Sequence, residues 1–317
     1  MVEMMKEKGF AHMSEGALVV DVKEDTDTKE IPPCIILKSD GASLYSTTDL
    51  ATLVMRMKEN NPDRVIYLAD ARQSMHFIQV FRCARKTGIV PDTTELVHIG
   101  FGTMNGKDGK PFKTRDGGVM RLEYLLKEID DEMLNKIKKN QKEKENLNID
   151  EAEAKQTAKT VALAAVKYGD LSNQASKDYI FDIDRFTSFE GNTGPYILYT
   201  IVRIKSILSK YEAKGGDISA LKDAIMPAVN AGQKNLMLSL AKFNATIESA
   251  YEESAPHKIC AYIYELANAF NGFYHDTKIL SEENEELKKS YISLLVLTKE
   301  ILEACIDMLG FSAPDRM

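Results

Sequence analysis

Lys38-Ser39-Asp40-Gly41-Ala42-Ser43-Leu44-Tyr45-Ser46-Thr47-Thr48-Asp49-Leu50-Ala51 follows an apolar, β-rich run at 33–37 and leads into a helical pattern at 48–59. Strand, glycine turn and helix N-terminus in that order form the place where an α/β sheet gathers N–H groups and strand ends around a ligand. Further β-rich runs at 16–22, 64–69 and 95–101, with a second helical pattern at 73–87, continue the alternation. Strands alternating with helices predict an α/β unit with a largely parallel sheet and right-handed crossovers. Within the opening stretch, Tyr45 and Asp49 stand four apart just after the turn. A carboxylate at such a mouth suits a guanidinium, which binds carboxylates through paired N–H groups. The alternative for Asp49 is a helix cap, or a charge that favours the helix dipole.

Beyond residue 118 the strand signals fade. Leu122, Leu125, Leu126 and Ile129 recur at helical spacing, and 130–153 is dense in Lys, Glu and Asn, the pattern of a solvated helix face. Residues 158–168 read as an Ala-rich helix, and Leu198, Ile201, Val202, Ile204 and Leu208 carry the 3.6-residue period of another. Across 256–274 the apolar positions Ile259, Ile263, Leu266, Phe270 and Phe273 form one stripe, while Tyr264, Asn268, Asn271 and His275 form a second, half-exposed one. The expected architecture is an α/β unit at 1–135, connecting helices at 136–195 and an all-α bundle at 196–317.

The bulk numbers bound the function without choosing it. The chain has 317 residues, enough for about two domains. Its 44% hydrophobic and 28% charged content is that of a packed globular protein. No apolar run reaches the ~18 residues of a membrane span, and the first residues lack a secretory core, so a soluble, cytoplasmic protein is expected. The four cysteines form no CxxC pair and the five histidines no HxxxH or HExxH spacing, so no structural metal is expected. A net charge of −7 argues against non-specific coating of nucleic acid, though not against reading a folded RNA through a local patch.

Two further segments carry chemistry. In Tyr67-Leu68-Ala69-Asp70-Ala71-Arg72-Gln73-Ser74-Met75-His76, polar groups crowd a strand end and the helix that follows. After His98-Ile99-Gly100-Phe101-Gly102, four cations and four glycines between Gly106 and Gly118 describe a loop able to wrap phosphates.

Taken in order, these segments resemble arginyl-tRNA synthetases. The resemblance continues through Phe189-Glu190-Gly191-Asn192-Thr193-Gly194-Pro195-Tyr196, Tyr199-Thr200-Ile201-Val202-Arg203, His257-Lys258-Ile259-Cys260-Ala261-Tyr262 and the closing Leu309-Gly310-Phe311 to Met317. It implies a Rossmann-like catalytic domain followed by an all-α, helical-bundle anticodon-binding domain. The implied activity is ATP-dependent charging of tRNA(Arg), with L-arginine, ATP and its Mg2+ as small-molecule partners and a monomer as the working form. By the same resemblance Tyr45, Asp49 and Gln73 take arginine, and His76, His98, Gly100, Gly102 and Lys113 take ATP. Lys113 and Arg115 stand in the catalytic signature loop, and Tyr196, Tyr199, Arg203, Tyr274 and Met317 face the anticodon. His98-Ile99-Gly100 is not the family's HIGH-type motif, which ends in a second histidine and lies far upstream. That motif and the family's N-terminal domain are not among these residues, so a C-terminal fragment inactive by itself is expected. The alternative is a non-catalytic tRNA-binding module that uses only the bundle.

Overall fold

The computed structural model describes residues 1–110, 121–143, 150–221 and 224–317. They form two compact units, Met1–Thr103 and Met104–Met317.

The first unit runs α1 (Val2–Glu7), β1 (His12–Ser14), β2 (Ala17–Val20), β3 (Cys34–Leu37), α2 (Tyr45–Glu59), β4 (Arg64–Asp70), α3 (Ser74–Lys86) and β5 (Glu95–Phe101). The expected parallel pairing holds for β4 and β5, which run in register from Arg64↔Glu95 to Asp70↔Phe101. It does not extend to β1, β2 and β3, which form an antiparallel meander. The reason lies in the turn: Glu15 and Gly16 both take positive φ, 50° and 83°. A two-residue connection of that kind joins only antiparallel strands. Alternation along β4 buries Val65 and leaves Ile66 and Leu68 exposed, while Tyr67 meets the Phe77 and Phe81 rings of α3. Leu50 and Leu53 of α2, Val80 and Cys83 of α3, and Val20 and Ile36 of the meander close the core.

Among the described residues, the second unit is helical apart from one short parallel pair, β6 (Met104–Asn105) with β7 (Tyr179–Ile180). Its helices are α4 (Leu122–Glu143), α5 (Glu151–Leu171), α6 (Ile183–Phe186), α7 (Gly194–Ala213), α8 (Ala231–Ala241), α9 (Phe243–Glu252), α10 (Pro256–Asp276) and α11 (Glu285–Met308). Five begin on side-chain caps: Asp150, Asp182, Thr193, Asn230 and Asn284 each accept from backbone N–H groups of the first turn. The charge-rich stretch beyond residue 130 is not wholly a solvated face. Met133 and Ile137 extend the stripe of Leu125 and Ile129 into the core, one every four residues. In a helix whose residues are half charged, a narrow apolar stripe is enough to bury one side.

α5 and α7 meet closely because position 194 is glycine. A Cβ there would stand 2.3 Å from the Ala164 carbonyl oxygen. Near this crossing the fully buried Tyr168 donates its hydroxyl toward Asn192 Oδ1 at 2.5 Å and the Cys260 carbonyl at 2.9 Å. Tyr168→Phe keeps the ring and strips these acceptors of their donor. A loss of roughly 1–2 kcal/mol is expected, read from denaturant or thermal midpoints. An unshifted midpoint would show that the hydroxyl contributes nothing net.

Candidate functional site

Each unit carries one cluster of the residues singled out above. In the first, β3 ends at Leu37 and the chain turns at Gly41, whose φ is 80°. Asp40 helps close this turn by accepting from the Ala42 N–H at 2.9 Å. α2 then starts at Tyr45. Its cap is supplied by Thr47, whose hydroxyl accepts from the Leu44 N–H at 3.0 Å and donates to the Ile36 carbonyl at 2.5 Å. Asp49 is therefore not the cap. It lies one turn further on, half-buried, with its carboxylate 2.6 Å from His76 Nε2. Tyr45, four residues earlier and one turn away on the helix, is 85% exposed, so its hydroxyl is open to a ligand.

β4 ends at Asp70, which is held by Arg72. The guanidinium donates through Nε at 2.9 Å and Nη2 at 2.6 Å, and the Arg72 N–H adds a bond at 2.8 Å. These bonds hold the Asp70 carboxyl down to about 2, so it stays ionised. Gln73 is exposed at the end of the short 3₁₀ turn that follows. On β5, His98 stacks on Phe77 with ring centroids 4.4 Å apart. Its Nε2 is buried and has no hydrogen-bond partner among the described residues. Gly100 owes its identity to packing: a Cβ would meet the Ala71 Cα at 2.9 Å. Gly102 follows, half-buried, just past the strand end. The structure thus pairs Asp49 with His76, and sets His98 against the ring next to His76. The Asp49–His76 pairing was not foreseen, because the two residues stand 27 apart in sequence, on different helices.

In the second unit the loop after β6 opens with a tight turn, in which Gly106 donates to the Lys110 carbonyl at 2.8 Å. Lys107 is tied to Asp182 at 3.0 Å and Asp184 at 3.1 Å. Those carboxylates raise the Lys107 ammonium above its ordinary range and keep it charged. Lys113 and Arg115 lie outside the described residues.

The other cluster joins α7 and α10. Arg203 lies over the Tyr199 ring at 4.8 Å and the Tyr274 ring at 5.4 Å, so its guanidinium is held between two aromatic faces. It also donates to Asn271 Oδ1. Asn271 in turn donates to the Tyr196 hydroxyl at 3.0 Å and to Thr200 at 3.2 Å, and Tyr196 donates to Asn268 at 2.6 Å. This network borders a cavity of about 700 Å³ lined by Arg203, Lys210, Asn271, Tyr274, His275 and Lys278 among others. Four of the five residues assigned to RNA therefore gather on one face. Met317 instead packs, half-buried, against the apolar core of the bundle. Asn271, the hub of the network, was visible in the sequence only as a member of the half-exposed stripe. A cation between rings, beside amide groups and two lysines, can stack and pair unstacked bases.

No helix among the described residues is long and apolar enough to cross a membrane. Residues 1–183 match the family described as tRNA synthetases class I (R), catalytic domain, and residues 197–317 match the DALR anticodon binding domain. All 317 residues align at 99% identity with an arginine–tRNA ligase of Agathobacter rectalis, covering 53% of its length. They align at 54% with an arginine–tRNA ligase of Alkaliphilus oremlandii, covering 52% of it. The chain thus spans about half the length of the curated relatives it matches. Among solved structures, the arginyl-tRNA synthetase of Plasmodium falciparum superposes on the whole chain with a TM-score of 0.81 at 26% identity, over 51% of its own length. That of Thermus thermophilus shares the fold at the same TM-score, 0.81, with 22% identity, over 57% of its length. By both family matches and by its two-part architecture, the chain belongs to the class I tRNA synthetases (R), with a DALR domain behind the catalytic one.

Proposed function

We propose that the chain carries the arginine-recognising and anticodon-reading parts of an arginine–tRNA ligase. The observation that carries this reading is the 99% identity, across every residue, to a protein of that name. The anionic mouth of Asp49 and Tyr45 supports it, because arginine is the amino acid whose side chain such a mouth selects. In this reading arginine's carboxylate attacks the α-phosphorus of ATP, and pyrophosphate leaves with the Mg2+ that accompanies its phosphates. A hydroxyl of the tRNA's terminal adenosine then attacks the arginyl-adenylate carbonyl, and AMP leaves. Gln73 assists at the amino-acid side. His98, with Gly100 and Gly102 at the strand end, serves the nucleotide. Lys113 and Arg115 are assigned by resemblance alone to the charge that builds on the phosphates. The protein acts as a cytoplasmic monomer.

The RNA half of the proposal is testable on these 317 residues directly. A net charge of −7 gives no general attraction for RNA, so affinity has to come from the Tyr199–Arg203–Tyr274 face. Stacking is worth about 1–3 kcal/mol per base, so Tyr199→Ala and Arg203→Ala are each expected to weaken tRNA(Arg) binding about tenfold or more. The preference for tRNA(Arg) over a tRNA with another anticodon should fall with them. Equal affinity for both tRNAs, indifferent to both substitutions, would remove this face from RNA recognition.

A further inference from the structure

Asp49 and His76 stand 27 residues apart in the chain, on different helices, yet His76 Nε2 is 2.6 Å from Asp49 Oδ2. An ionised carboxylate only accepts, so the imidazole carries a proton on Nε2 and donates it. Each side chain is 28% exposed, sheltered by the fold but still within reach of a ligand. The imidazole is itself held. Its ring meets Phe77 edge-on at 5.2 Å, and Phe77 is stacked on His98. An aspartate side chain on a helix surface has several rotamers, whereas paired recognition of a guanidinium needs the carboxylate plane fixed. Nothing on α2 itself supplies that restraint, because Thr47 and Thr48 direct their hydroxyls to backbone carbonyls.

We propose that His76 is the positioning residue for arginine recognition. Its Nε2–H holds Oδ2 and sets the plane of the Asp49 carboxylate, leaving Oδ1 and the second lone pair of Oδ2 for the guanidinium. This deepens the reading of Asp49 as the arginine acceptor and rests on it. It also moves His76 from the nucleotide side, where the family resemblance had put it, to the amino-acid side. Discrimination follows from the same geometry. A carboxylate held in one plane favours a planar, doubly donating cation over a lysine-like ammonium, which donates in no fixed plane.

The test uses the full-length arginine–tRNA ligase of Agathobacter rectalis, substituted at the positions matching His76 and Asp49, with arginine-dependent pyrophosphate exchange as the readout. His76→Phe keeps a ring against Phe77 and removes the donor. It is expected to raise the KM for arginine about tenfold, with much smaller changes in kcat and in the KM for ATP. His76→Gln, whose amide N–H reaches toward the place of Nε2, is expected to recover most of that loss. In an Asp49→Asn background, His76→Phe should add little, because no carboxylate remains to be positioned. An arginine KM within about twofold of the parent, an effect confined to ATP, or a Gln variant no better than Phe would each overturn the proposal. Melting curves accompany each variant. A variant that unfolds is replaced by His76→Asn, and the same three outcomes apply. If Asp49→Asn alone leaves the arginine KM at the parent value, the arginine pocket itself is misassigned. If it raises that KM while the His76 variants do not, only the positioning role fails.

Discussion

Asp49→Asn in the full-length arginine–tRNA ligase is expected to raise the KM for arginine by about ten- to a hundredfold. The exchange keeps the shape of the side chain and removes its charge. It also turns one acceptor into an amide N–H₂, so donors face the donors of a guanidinium. A hydrogen bond to a charged group contributes about 1.5–3 kcal/mol, and ~1.4 kcal/mol is tenfold in affinity. Helix capping does not confuse the result, because Thr47 caps α2 and is untouched by the change. The measurement is steady-state exchange at saturating ATP with arginine varied. An unchanged KM would reduce Asp49 to a tie between α2 and α3.

The second large effect is a complete loss. These 317 residues, expressed alone, are expected to give no arginine-dependent pyrophosphate exchange, with or without tRNA. Charge develops on both the attacking and the leaving sides of the transferring phosphorus. An enzyme stabilises it with preorganised donors aimed from several loops at once. By the resemblance, one such loop falls at 106–118, and the chain spans 53% of the length of its 99%-identical relative. Missing donors cost roughly 10²–10³ in rate each, so the loss of several leaves nothing measurable. Exchange that copurifies with the chain through successive columns, in proportion to its concentration, would refute this.

The parts of the fold that were legible in the sequence are those governed by local periodicity. The run at 95–101 is strand β5 to the residue, and the stripe Ile259, Ile263, Leu266, Phe270 and Phe273 is buried throughout. The meander was misread as parallel because β1 has three residues, too few for a pattern, although Glu15-Gly16 between Ser14 and Ala17 was a usable hairpin signal. Met133 and Ile137 were hidden by the charges around them. At the candidate sites, the placing of Tyr45 with Asp49 on α2 and of Tyr199 with Arg203 on α7 was legible, because spacings of four mark one face of a helix. The Asp49–His76 bond and the hub role of Asn271 were not. Each joins elements distant in sequence, and no single-chain period encodes which two helix faces will meet.

If the bundle face reads RNA as proposed, Arg203 is restrained before the RNA arrives. A free arginine side chain has up to about 2 kcal/mol of rotamer entropy to lose when it is immobilised. Here the two flanking rings and Asn271 already restrain it in the unliganded chain. A base docking there, as proposed, would meet a restrained platform, and most of the ordering cost would fall on the nucleotide rather than on the protein. Calorimetry of RNA binding would then report the entropy of an anticodon loop giving up its own stacking, with little added from the side chain that receives it.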